Sequence, residues 1–506
     1  MVTFSSCNDF LDKLPDERTE VNSAKKIKAL LVSAYPTNDA VMLQEISSDN
    51  ATDNGSAYTY DDIGMRDAYL WKDITTTSSD DPQDIWDGHF IAIASANQAL
   101  ESIKELNDDE SLKTYRAEAL LCRAYGYFAL ANTFCMAYNP ETATKELGLP
   151  YSKTPETTVK PDYKRGTMTE LYANIYADIE EALPLIEGVE FTVPKYHFNK
   201  SAAYAFAAEF CLFYDKFDES IKYANVVLGS NPSSVMRDWK GIYNSSSNWE
   251  ARCNMYINAD SPANLLLLPI YSSWGYMYGP YDIYKRYGLS RTIFENEAIR
   301  AKGVWSSIKA SYYPSNSVWG FDQKMSVSKF YGYFEYTDKA SGTGHRHNVM
   351  TPFTTNKTLL MRAEAEALNN DLDAAVKDIN IWLRSTTSAA TDISKEDIVT
   401  FMNNVNYMPT IPTKKTDHTI KKELNPQGFT VNEGDQEAII QCILHLKRCE
   451  AIHEGDRWMD IKRYGIEISH EREGMDADVL KVNDPRRAIQ LPLDVIVAGL
   501  KSNPRN

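Results

Sequence analysis

The sequence predicts a mostly α-helical protein made of paired antiparallel helices, interrupted by one long irregular insertion. Three observations carry that prediction. Apolar residues recur at three- and four-residue spacing over long stretches. Two of those stretches repeat each other. A block in the middle of the chain loses the helical spacing and gains Pro, Gly, Asn and aromatic residues.

Residues 1–22 are polar and read as an extended lead-in, with 23–506 as one domain behind it. Ser23 is placed to cap a first helix over 23–34. Residues 47–85, rich in Asp, Ser, Thr, Asn and Tyr, read as a long loop, and loops of that length in a compact domain are usually functional. Residues 84–106 put Ile85, Trp86, His89, Ile93, Ala96 and Leu100 on one side of a helix. A second helix over 111–134 and a third over 169–186 follow, the third capped by Thr167 or Thr169. A Pro-containing connector spans 135–166.

The repeat is a helical hairpin. Ala207 to Leu228 lines up with Arg362 to Leu383, so that Ala208 and Ser220 match Ala363 and Ala375. Small residues at that spacing let two helices approach closely, as in tetratricopeptide (TPR) hairpins. The scaffold is thus expected over about 84–230 and 357–465, with the insertion over about 231–356. Strand-like pieces fall at 264–270 and 326–334. Residues 385–435 read as irregular, 436–463 as helix, and 480–506 as Pro-rich and non-helical.

Composition narrows the function. The chain of 506 residues carries a formal net charge of −17, which repels phosphate backbones and argues against nucleic acid as a partner. No apolar run is long enough for a transmembrane helix. Seven cysteines, none in a CxxC pair, leave at least one unpaired. Cys122, Cys135 and Cys211 sit in apolar stretches and read as buried thiols. Tyr is abundant at 31 residues, with 9 Trp and 18 Phe; such rings suit sugar faces and interfaces, and equally pack large helical domains.

No motif reads as catalytic. His453-Glu454-Gly455-Asp456-Arg457-Trp458 holds one His where a zincin needs two. It reads as a helix stop at Gly455, with Arg457 paired to Glu450 or Glu454. Glu118, Glu364 and Glu450 lie in apolar helices, each with an Arg two residues earlier. Positions i and i+2 do not face each other on a helix, so each Glu is expected to look to a neighbouring helix. Paired buried charges explain them better than a glycosidase dyad does. His345-Arg346-His347 reads as a polar loop tip rather than a metal clip. No cofactor and no metal are expected.

Four segments resemble the RagB/SusD family, the nutrient-binding lipoproteins of the Bacteroidetes. They are Ser6-Cys7-Asn8-Asp9-Phe10-Leu11-Asp12; Ala117-Glu118-Ala119 with Arg123-Ala124-Tyr125; Leu359 to Glu366; and Arg448 to Gly465, which contains His453-Glu454-Gly455-Asp456-Arg457-Trp458. The close, Asp484-Pro485-Arg486-Arg487 with Leu491-Pro492 and Asn503-Pro504, fits as well. The sequence departs from the family pattern at Phe90, where a Tyr is expected, and at Phe294 to Arg300, which lacks the Asp-x-Arg spelling.

The resemblance implies a SusD-like fold and capture of an extracellular oligosaccharide at the outer membrane's outward face. It implies delivery to a SusC-like TonB-dependent transporter and a lipid anchor on Cys7, whose preceding small residues look like the remnant of a clipped lipoprotein signal. For the site, Trp274, Tyr276, Tyr278 and Tyr281 alternate with Gly275 and Gly279 and are expected as loop-borne stacking faces, a loop core being the alternative. Trp71 is expected as a second wall, with Asp49 and Asn54 bonding hydroxyls. A peptide- or glycoprotein-binding relative, a surface glycosidase and a protein-only TPR scaffold are the rival readings.

Overall fold

The computed structural model describes residues 21–59, 61–156, 163–188, 190–245, 248–278, 285–314, 316–319 and 324–505. Cys7 and Tyr281 lie outside them. Helices α1 (Ala24–Leu31), α2 (Val41–Ser47) and α3 (Ile63–Tyr69) lead into the long α4 (Pro82–Glu105) and α5 (Lys113–Phe134). Helices α6 (Met168–Ala182), α7 (Lys200–Phe213) and α8 (Phe217–Leu228) complete the first half. The stretch read as one loop over 47–85 therefore holds α3, which Asp62 caps by accepting from the Met65 amide.

Between residues 239 and 350 lie the short helices α9 (Trp239–Ser245), α10 (Trp249–Tyr256), α11 (Trp274–Met277) and α12 (Arg291–Asn296). The strands are β1 (Thr52–Asp53), β2 (Leu268–Tyr271), β3 (Tyr287–Gly288), β4 (Asn316–Trp319), β5 (Lys324–Val327), β6 (Tyr333–Asp338), β7 (Thr343–Met350), β8 (Ile468–Arg472) and β9 (Met475–Leu480). The largest sheet orders them β2-β7-β6, all antiparallel. His345 and His347 belong to β7, opposite Glu335 and Tyr333, so they are strand residues and not a loop tip.

Helices α13 (Thr355–Leu368), α14 (Leu372–Thr386), α15 (Lys395–Asn403), α16 (Asp435–Glu450), α17 (Asp456–Arg463) and α18 (Leu493–Val497) form the second half. Two of these fall where irregular chain was expected. Ser394 and Asp397 close a capping box on α15, a start signal inside the Ser- and Thr-rich stretch. Pro492 precedes α18, a single turn too short to show periodicity.

The repeated hairpins α7–α8 and α13–α14 pack side by side, α13 also touching α16. The reason is visible at the small residues. Ser220 is fully buried and its Oγ donates to the Ala208 carbonyl at 2.8 Å, holding α8 against α7. Both hairpins turn through a left-handed residue, Asp215 (φ 56°) and Asn370 (φ 64°), at matching positions; these residue types tolerate that conformation. Salt bridges lock the other pairs. Arg123 of α5 forks onto Asp178 of α6 at 2.7 and 2.8 Å, and Arg362 of α13 onto Asp378 of α14 at 2.7 Å through both nitrogens. Cys122, Cys135 and Cys211 are buried free thiols. Among the described residues no helix is long and apolar enough to cross a membrane.

Candidate ligand-binding cleft

A cleft of about 380 Å³ opens between the loop after α2, the start of α12, the segment 408–418 and β8. That volume lies in the usual range for ligand sites, roughly 300–1,000 Å³. Its floor is a network of charges. Arg457 forks onto Asp49, Nε to Oδ1 at 2.8 Å and Nη2 to Oδ2 at 2.9 Å. Arg448 reaches Glu297 at 3.0 Å and Asp49 at 3.5 Å, Lys422 reaches the same two at 3.2 and 3.5 Å, and His418 Nδ1 sits 2.6 Å from Glu297.

Burial by itself would raise both carboxyls. The guanidinium groups of Arg448 and Arg457 and the Lys422 ammonium outweigh it and hold Asp49 well below the usual carboxylate range. Lys422 and Arg448 likewise bring Glu297 down to about 2. Arg457 thus pairs with Asp49, some 400 residues away, and not with Glu450 or Glu454. α16 already ends at Glu450, so Gly455 (φ 82°) is not the helix stop expected of it; it stands at the N-cap of α17, whose start turns Arg457 toward the cleft floor.

The walls are rich in hydroxyls: Thr52, Ser290, Thr292, Thr410, Thr413 and Ser469. Asn54 stands in the same lining. Its backbone amide donates to the Arg286 carbonyl at 2.9 Å, while its side-chain Nδ2 is buried without a partner among the described residues. Arg286 forks onto Asp53 at 2.5 and 2.6 Å, fixing the β1–β3 pair beside it. Of the residues singled out in the sequence, Asp49 and Asn54 meet at this cleft, Asp49 in the floor and Asn54 in the wall.

The aromatic residues go elsewhere. Trp274 is 2% exposed and Tyr278 3%; their rings lie 5.2 Å apart and Tyr278 packs 4.4 Å from His453. Trp274 Nε1 donates to the His453 carbonyl at 2.9 Å. Gly275 and its neighbours form one helical turn, so the chain folds these rings inward instead of displaying them. The expectation of open stacking faces at Trp274 and Tyr278 is corrected accordingly; they build a core under the insertion. Tyr276 is half-buried, with the Arg346 guanidinium 4.8 Å from its ring centre. Trp71 is 6% exposed, stacked at 4.2 Å on His470, which stacks on Tyr69 at 4.1 Å. Tyr69 lines the cleft, so Trp71 supports the wall from behind.

The helix glutamates each have a partner on another element. Glu118 accepts from Tyr35 Oη at 2.6 Å and lies 2.6 Å from His197 Nδ1. Glu364 takes Arg463 at 2.6 Å, Lys447 at 2.7 Å and Tyr464 Oη at 2.8 Å. Glu450 accepts from the Trp382 indole at 2.8 Å. Sequence reasoning missed Glu297, Lys422 and His418, whose local sequence carries no motif.

The family model for SusD-like proteins, "Starch-binding associating with outer membrane", matches residues 9–212. The fold of nearly the whole chain matches solved structures of that superfamily. A SusD superfamily protein from Bacteroides fragilis superposes with a TM-score of 0.65 at 18% identity, covering 95% of this chain and 99% of that one. The chain has the SusD-like fold, and its residues 9–212 match the SusD-like family model. A SusD superfamily protein from Bacteroides thetaiotaomicron gives a TM-score of 0.63 at 16% identity, covering 95% and 98% of the two chains. A SusD-like carbohydrate-binding protein from Bacteroides vulgatus gives 0.64 at 13% identity, covering 94% and 96%. No curated protein matches the sequence. The helical hairpins and the insertion described above are therefore the SusD-like fold in this chain.

Proposed function

We propose that this SusD-like protein captures an extracellular oligosaccharide in the cleft between Asp49, Asn54 and the 408–418 segment, and passes it to a SusC-like TonB-dependent transporter. The observation that carries the reading is Asn54 Nδ2, a buried donor without a partner among the described residues, in a wall of hydroxyls. A sugar hydroxyl satisfies such a donor, and leaving it unmet costs free energy. Pro409, Pro412, Ile293 and Met408 give the cleft apolar surface for sugar C–H faces. The family description and the carbohydrate-binding relative point the same way. The anchor in this reading is a lipid on Cys7, placing the protein on the outward face of the outer membrane.

Binding without turnover is part of the proposal. Hydrolysis of a glycosidic bond needs a carboxylic acid with a proton to give. The two buried carboxyls at the cleft floor, Asp49 and Glu297, are both held ionised by cations. Glu118, Glu364 and Glu450 lie outside its lining.

The test is affinity electrophoresis and calorimetry of the purified protein against a panel of starch, β-glucan, pectin and host-type glycans, followed by a reducing-end assay on whichever glycan binds. Binding with no release of reducing ends is expected. Failure to bind any glycan, or tight binding of peptides alone, overturns the reading.

A further inference from the structure

A second cavity, of about 80 Å³, lies on the other side of α17, among α2, α4, α5, α7 and α13. At roughly 10–15 Å³ per water-sized probe it has room for several small groups. Its lining combines buried polar atoms that have no partner among the described residues with more carboxyl than ammonium groups.

His89 is 1% exposed. Its Nδ1 lies 2.9 Å from the Ile85 carbonyl, an acceptor, so Nδ1 carries the hydrogen and Nε2 presents a lone pair. That Nε2 is buried in the cavity wall without a partner among the described residues, and so is Thr351 Oγ1. Glu209 of α7 also lines the cavity and is 8% exposed.

The charges do not balance. Lys357 sits 2.6 Å from Glu454 and 2.8 Å from Asp456, and Lys329 sits 3.0 Å from Glu454. Two ammonium groups thus meet two carboxylates. Glu209 and Asp39 are left over, Asp39 accepting from the Val41 amide at 3.0 Å. Glu209 faces Asp456 and Arg463 of α17, Lys357 of α13, Lys447 of α16 and Tyr125 of α5 through space. A wall of acceptors around uncompensated carboxyls suits a guest that is positively charged and donates several hydrogen bonds.

We propose that this cavity binds a primary ammonium group, with the Glu209 carboxylate and His89 Nε2 as acceptors and Thr351 Oγ1 as a third. An ammonium carries three donors and one charge, matching the three unmet acceptors and the unbalanced carboxyl. Asp39 and Asp456 are only partly buried, and the cavity reaches solvent beside them, so a chain-terminal ammonium can enter. Such a group comes from an amino sugar or from a lysine side chain. The site is separate from the cleft and does not depend on what the cleft binds.

Without a guest, burial and the nearby Asp456 raise the Glu209 carboxyl to about 8. A proton therefore competes with the ammonium, and affinity should fall about tenfold per pH unit below 8. The experiment is calorimetric titration of the intact protein with methylammonium chloride at pH 8.5 and pH 6.0, with sodium chloride as the control. Glucosamine and Nα-acetyl-lysine amide, titrated separately at pH 7, where both are largely cationic, tell the two sources apart. Binding at pH 8.5 that weakens on the order of a hundredfold at pH 6.0 is expected. Glu209→Gln should abolish it. Thr351→Val, which changes one atom, should weaken it severalfold while keeping the fold, and serves if Glu209→Gln does not fold. No heat with methylammonium at pH 8.5, equal affinity at both pH values, or crystals soaked in methylammonium that show ordered water alone in the cavity would overturn the proposal.

Discussion

Arg457 holds Asp49 with two parallel hydrogen bonds, at 2.8 and 2.9 Å, tying the start of α17 to the loop after α2. The pair is buried, and Arg448 and Lys422 extend it to Glu297. The same five charges form the floor of the candidate cleft. Breaking a buried pair by removing one partner leaves the other uncompensated, at a cost of about 3–5 kcal/mol. Asp49→Ala is therefore expected to lower the urea midpoint by that amount of stability. Loss of less than about 1 kcal/mol would show that the network is wet and contributes little.

The dependence of stability on pH follows from two opposed groups of carboxyls. Glu297, Glu364 and Glu454 are buried, which alone would raise them, yet paired Lys and Arg side chains hold each at about 2. A depressed carboxyl stabilises the fold above its unfolded value, about 4.3, and that contribution is lost as the pH falls toward 2. Burial raises Glu45 to about 7, Asp80 to about 6 and Glu209 to about 8. A raised carboxyl binds a proton in the folded state; its contribution is full below about 4 and is lost progressively as the pH rises from there through the folded values of about 6–8. The unfolding free energy should peak near about pH 4–4.5, where the two groups of carboxyls change over, and decline on both sides. A profile that rises steadily from pH 5 to pH 8 contradicts these assignments.

Trp274→Ala should act on stability and not on glycan contacts. The side chain is buried against Tyr278 and its indole donates to the His453 carbonyl. Truncating a buried Trp costs about 3–5 kcal/mol, so thermal unfolding should drop by several degrees. Calorimetry below the new transition should return the wild-type glycan affinity. A variant with unchanged unfolding and weakened binding would restore Trp274 as a ligand contact.

The scaffold was legible because its signals are local. The Ala208–Ser220 and Ala363–Ala375 spacings, the Thr167 cap and the apolar stripes of α4 and α5 each specify a helix or hairpin within some twenty residues. The candidate site was legible only in part. Asp49 and Asn54 stood out in a polar stretch, and both reached the cleft. Trp274 and Tyr278 misled because Gly and Pro neighbours suggest an open loop. What buries those rings is His453, from a segment about 175 residues further on. Glu297, Lys422 and His418 carried no local signal at all. They become a site through α12, the 408–422 segment and α16 meeting, which periodicity does not reveal.

Asn54→Ala separates a ligand contact from a structural one. The Asn54 Nδ2 is buried in the cleft wall and has no partner among the described residues. Removing a structural hydrogen bond lowers stability, but Asn54→Ala removes no protein hydrogen bond at that nitrogen. It removes a donor that is desolvated without compensation, a group whose burial costs about 1–3 kcal/mol. Stability should therefore stay level or rise by about 1 kcal/mol. Glycan affinity should move the other way, because the hydroxyl that meets Nδ2 in the complex loses its partner; about 1 kcal/mol corresponds to roughly a fivefold weaker Kd. Chemical denaturation and calorimetry on the same preparation read both quantities. A variant that unfolds more easily and binds as before would mean that Asn54 serves the β1–β3 pair and not the ligand.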